Sequence, residues 1–115
     1  MTRPTRGPWW AEIGVRFRFV AAPAPPLTIE LSGGTVVVTY ADLVKHAGGG
    51  EVGAVVCTSR TFTSVEVGGA RMPELWHLYT GRPAHFTLWP GDALRFNPVK
   101  PGGVELVALL VLSEA

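Results

Sequence analysis

His77 and His85, with Glu74 close by, are the groups in this chain that could hold a metal. Two imidazoles and one carboxylate, brought together across neighbouring strands, would suit a non-haem iron or zinc site. Their spacing follows no zinc or iron signature, so exposed or capping roles are the expectation for them and for His46. Cys57 is the single cysteine, which excludes an internal disulfide framework and a cysteine zinc cluster. Its apolar surroundings in GAVVCTS predict a buried thiol. Asp42 and Asp92 sit where carboxylates cap or turn, and the glutamates are scattered. There is no Gly-x-Ser-x-Gly elbow and no glycine-rich loop followed by Lys-Ser or Lys-Thr. CTSRTFTS reads as the solvent face of a strand. These observations point to a non-enzymatic protein with no catalytic residue, no metal and no cofactor.

The aromatic residues carry the remaining signals. Trp76 and Trp89 flank LYTGRPAHFT, which reads as a hairpin. On a sugar-binding sandwich they would form a stacking platform, with Tyr79, Arg82 and His85 as hydrogen-bond partners. Core or interface positions are the competing reading for Trp76 and Trp89. Ahead of any strand, MTRPTRGPWW places Arg3, Arg6, Trp9 and Trp10 on a proline-rich leader. Either the tryptophans cover the open end of their own core, or the leader reaches a neighbour, with arginines pairing to acidic groups and a tryptophan as anchor.

These residues must be positioned by strands. IGVRFRFVA (Ile13 to Ala21) alternates, with Phe17 and Phe19 on one face and Arg16 and Arg18 on the other, and predicts a half-buried strand with a basic outer face. APAPP then removes backbone donors, so a new strand starts only after Pro26. LTIEL and TVVVTY around SGG predict a hairpin. ADLVKHAGGG allows a short helix near residues 41–47, with Leu43 and Val44 facing inward. The run from Val52 to Val67 predicts two strands, or one bent strand, broken near Ser59 and Arg60. Short strands separated by GGARMPE, PGD and KPGG follow. The terminal VELVALLVL is apolar on both faces and should lie centrally, covered on both sides. The expectation is an all-β protein, an antiparallel β-sandwich that is jelly-roll-like or a barrel. Residues 1–12 would be an extended arm and residues 13–115 a single β-sandwich domain.

Composition supports this reading. The 115-residue chain is 47% hydrophobic and 17% charged, which is incompatible with a disordered chain, and its 14 Gly and 10 Pro favour turns over long helices. A net charge of +1 gives no footprint for nucleic acid. The terminal apolar run is far shorter than a bilayer span of about 20 residues, and no apolar signal-peptide core follows the start, so neither a membrane nor export by that route is expected.

LWPGDALRFNPVKPGG resembles the second motif of cupins, where a Gly-Asp turn leads into a strand and a proline-glycine turn. The histidine that a cupin supplies after that turn is missing, and the chain contains no His-x-His pair. The resemblance therefore implies a jelly-roll-like strand and turn, with a cupin-like metalloenzyme as a third reading behind assembly and sugar binding. Taken whole, the turn-rich β domain, the arm and the doubly apolar last strand resemble the small accessory proteins of tailed-phage virions, capsid decoration proteins in particular. That resemblance implies a homo-oligomer, with a trimer possible, bound to a capsid or other virion protein and located in the virion. It makes Arg3, Arg6, Trp9 and Trp10 lattice or intersubunit contacts.

Overall fold

Runs of β-formers broken every few residues by glycine or proline can build only short strands. The computed structural model describes residues 17–113, within which there are nine strands and one helix. The leader residues and the start of the first predicted strand lie outside the described residues. The elements are β1 (Phe17–Ala21), β2 (Leu27–Leu31), β3 (Val36–Thr39), α1 (Tyr40–His46), β4 (Val52–Ser59), β5 (Thr63–Gly68), β6 (Glu74–Leu78), β7 (Ala84–Thr87), β8 (Ala93–Pro98) and β9 (Gly102–Ser113).

The strands form two antiparallel sheets. In the first, β9 is central: β1 and β2 pair with successive halves of one of its edges, β4 pairs with the other, and β7 follows β4. The second has the order β3-β8-β5-β6. β1 and β2 are thus one strand interrupted at Pro23, Pro25 and Pro26, whose missing donors are tolerated on a sheet edge. Counted as one, they leave eight strands paired first with last, second with seventh, third with sixth and fourth with fifth. That is the winding of a jelly roll, and the protein is an all-β sandwich of this type.

This winding corrects two sequence expectations. LTIEL and TVVVTY do not form a hairpin: β2 pairs with β9 and β3 with β8, in opposite sheets. LYTGRPAHFT is not one either, because β6 pairs with β5 and β7 with β4. Among the described residues, only β5 and β6 are neighbours in both sequence and sheet. The break near Ser59 and Arg60 is real, but it carries the chain from one sheet to the other. There Ser59 and Thr61 are buried rather than solvent-facing. The Ser59 hydroxyl donates to the Thr61 carbonyl and accepts from its N–H at 3.1 Å, which satisfies the turn internally.

β9 is central, as expected, but it is covered on both sides only in part, since Val107 and Leu109 on the outer face are half-buried and Glu105 is exposed. Val104, Leu106 and Ala108 are buried toward the opposing sheet, and Val111, on the other face, is only 5% exposed. On that outer face Phe19 and His85 meet edge-on with ring centroids 6.3 Å apart. The line between them crosses the row Ala21, Leu109, Ala54, Thr87 diagonally. α1 also sits where expected. Thr39 caps it, its hydroxyl accepting from Asp42 N–H at 3.1 Å, while the Asp42 carboxylate accepts from Thr39 N–H at 3.0 Å. This capping box fixes the turn out of β3 and drops Leu43 into the core. Tyr40 anchors the same corner by donating its hydroxyl to the Val52 carbonyl at 2.6 Å. Burial, with Glu51 nearby, pushes its phenol above the usual value.

Candidate functional site

The space between the sheets is filled. Val38, Val55, Val65, Leu94, Phe96 and Leu106 are each at most 5% exposed, and they occupy the region where a jelly roll that binds a ligand internally would need polar groups. Cys57 belongs to this core, and burial alone pushes its thiol up to about 12. The thiol is therefore neutral and unreactive at ordinary pH, in line with the sequence expectation.

The polar and aromatic groups meet at one side of the sandwich instead. β6 ends the second sheet and β7 ends the first. Near them a cleft of about 250 Å³ is lined by Val67, Arg71, Glu74, Trp76, His85, Phe86 and Thr87. The Trp76 ring crosses Phe86 edge-on at 5.5 Å and is 44% exposed, so it offers aromatic surface beside a carboxylate, an imidazole and a hydroxyl.

Arg71, which lines the cleft, is held in place by a turn behind it. Trp89-Pro90-Gly91-Asp92 is closed by Asp92 N–H to the Trp89 carbonyl at 2.9 Å, with Gly91 at φ 91°. Proline then glycine at the central positions is the type II pattern. The Asp92 carboxylate, 3% exposed, accepts from Trp89 N–H at 2.8 Å and from Arg71 through Nε at 3.1 Å and Nη2 at 2.6 Å. The guanidinium also lies 5.7 Å from the Trp89 ring centroid. The preceding loop can come this close because Gly69 has no side chain: a Cβ there would collide with the Gly91 carbonyl oxygen. Arg71 is thus a neutralised structural group at the cleft rim.

The five aromatic and polar residues singled out in the sequence therefore separate. Trp76 and His85 line the cleft, and Trp89 stands behind it against Arg71. Tyr79 belongs to another group, edge-on to Phe62 at 5.3 Å, with His77 stacked on the same phenyl ring at 5.9 Å. Arg82 lies in the β6–β7 connection, its N–H bonded to the Tyr79 carbonyl at 3.0 Å. The metal arrangement does not form. His77 pairs in register with Ser64 on the outer face of the second sheet, and His85 with Val56 on the outer face of the first, so the two imidazoles point away from each other. Among the described residues, no group of three His, Cys, Asp or Glu side chains is placed to share an ion. His46 is not a local cap: its Nε2 lies 2.6 Å from the carbonyl oxygen of Pro25, which ties α1 to the distant β1–β2 connection. The arm residues Arg3, Arg6, Trp9 and Trp10 lie outside the described residues.

Phe62, Leu75 and Arg71 escaped the sequence reading. The signal for Arg71 was local: a Gly-Gly pair just before it and a Pro-Gly-Asp turn later. Phe62 and Leu75 carried none, because their exposure follows from the sheet winding. Comparison with family models, with curated proteins and with solved structures found no match to this chain. No helix among the described residues is long and apolar enough to cross a membrane.

Proposed function

We propose that this chain is a non-enzymatic assembly protein, a phage virion component of the capsid-decoration or minor-capsid type, which binds its lattice through the outer surfaces of the β domain and through the N-terminal arm. The observation that carries this reading is the filled interior: a jelly roll with an apolar centre has only its surface to work with. Jelly rolls serve as capsid and lectin domains as well as cupins, and fold alone does not choose among them. The exposed aromatic groups beside β6 favour contact with another macromolecule. The test is light-scattering mass after size exclusion, comparing the full chain with one starting at Glu12. The reading expects a defined oligomer whose mass falls when the arm is removed. Two monomers of equal thermal stability would overturn self-assembly through the arm.

The cleft supports a second reading, a carbohydrate- or ligand-binding module, since Trp76 stands beside Glu74, His85 and Thr87. Its test is a titration of tryptophan fluorescence with soluble oligosaccharides, compared with Trp76→Ala; an unchanged signal counts against it.

A further inference from the structure

We infer that β6 is a self-pairing edge: two copies of the chain join their second sheets antiparallel through β6, across a two-fold axis near Trp76. This rests on the assembly reading and names the surface by which copies meet.

A strand at the end of a sheet presents unpaired backbone donors and acceptors, and proteins that stay monomeric blunt such edges with proline, lysine, bulges or very short strands. The other edges here are blunted. β1 and β2 are separated by Pro23, Pro25 and Pro26; β3 has four residues and runs directly into α1; β7 has four residues, with Pro83 just before it. β6 is the exception. ELWHL has no proline, no lysine and an uninterrupted register on β5, and its only carboxylate is at its first position.

The apolar surface gathers at the same place. Of the nine large hydrophobic residues exposed among the described residues, Met72, Leu75, Trp76 and Tyr79 lie on β6 or its flanks, and Phe62, from the β4–β5 connection, packs on His77 and Tyr79. A second copy fits because β6 is complementary to itself. With the axis at Trp76, Leu75 stands opposite His77 of the other copy, Trp76 opposite Trp76, and Glu74 opposite Leu78, so no like charges face each other. Given how exposed they are, Phe62, Leu75, Trp76 and Tyr79 can contribute roughly 400 Å² per copy, about half of a standard interface side. Backbone ladder bonds must supply the rest. The pairing should therefore be reversible and concentration-dependent rather than obligate.

The test uses the full chain and two double variants. In L75K/H77K the register sets lysine opposite lysine twice across the axis. In L75K/H77E it sets lysine opposite glutamate twice. Both place the introduced lysine directly across from Glu66 of the same chain, which is the β5 partner of Leu75, so both should fold, which circular dichroism checks. Light scattering should show mass rising with concentration for the unaltered chain. It should show at least a tenfold weaker association for L75K/H77K, and association restored in L75K/H77E. Hydrogen exchange at residues 74–78 should slow as the unaltered chain associates. If the unaltered chain is an oligomer whose mass and β6 exchange ignore both variants, the edge proposal fails and the assembly reading stands. If it is monomeric at every concentration with fast β6 exchange, both fail. If both variants dissociate equally, the register centred on Trp76 is wrong and the proposal is overturned.

Discussion

Removing Arg71 tests whether Asp92 is held as a charge that depends on its partner. The carboxylate is 3% exposed and accepts three hydrogen bonds, two from the guanidinium and one from Trp89 N–H. Deleting one partner of a fully buried pair costs about 3–5 kcal/mol, because the remaining charge is left without compensation. Here the Arg71 side chain is 33% exposed, so water can enter when it is removed, and the Trp89 N–H bond survives. Both effects lower the cost, to about 2 kcal/mol for Arg71→Ala. For a chain of this size that corresponds to a fall in Tm of roughly 8 °C. Asp92→Asn keeps the shape but turns an amide donor toward a guanidinium donor, and should cost at least as much. The double variant should cost clearly less than the sum, since the two act through one interaction. Urea unfolding of the four proteins closes the cycle. If Arg71→Ala costs under about 0.5 kcal/mol, as an ordinary surface change does, or if the two losses simply add, Asp92 does not depend on Arg71 and the account of the turn is wrong.

Four further outcomes follow from the packing and from two titrating groups. Phe96 is fully buried between the sheets, and Phe96→Ala should cost about 3–5 kcal/mol in denaturant unfolding, with the slope unchanged. Thr39→Ala removes the hydroxyl that caps α1 and should cost about 1 kcal/mol. The Asp42 carboxyl is held below its usual 3.8, chiefly by hydrogen bonds from the Thr39 backbone and side chain. Its contribution is therefore present above pH 3.8 and lost as pH falls below it; in Asp42→Asn that acid slope should flatten. Cys57 titrates the other way. The unfolded thiol ionises near 9.0 and the folded one near 12, so the stability it supplies is complete below pH 9 and disappears as pH rises toward 12. Cys57→Ala should weaken that alkaline decline, and the native thiol should react with a disulfide reagent at about pH 8 only after unfolding.

The strands were legible in the sequence because alternation and turn residues act locally; their partners were not. β2 and β3 face each other across a glycine turn and have the apolar pattern of a hairpin, yet each finds a better partner in a strand far along the chain. The clue was in β9, whose twelve residues exceed what one short neighbour can cover and whose two apolar faces demand a central place. The short helix was legible for the opposite reason: its cap and its glycine stop are both close in sequence. At the candidate site, Trp76 and His85 were both named from the sequence, and they share a cleft only because β6 and β7 end different sheets on the same side. Tyr79, three residues from Trp76, was drawn into a separate group by Phe62, which lies on the connection between sheets.

The pairing of β9 with β1 has a consequence during synthesis. Phe17 is registered against Ser113 and Leu27 against Leu106, so β1 and β2 have no ladder partner until β9 has been made. β4, apolar along most of its length, waits beside them, since β9 is also its main neighbour. At a translation rate of about 5–20 residues per second, the nascent chain spends several seconds with these three strands not yet covered by β9. During that interval it is a substrate for holdase chaperones and vulnerable to sticking to its siblings on the same polysome. Among the described strands, only β5 and β6 are neighbours in both sequence and sheet, which makes that hairpin the natural first structure of this domain.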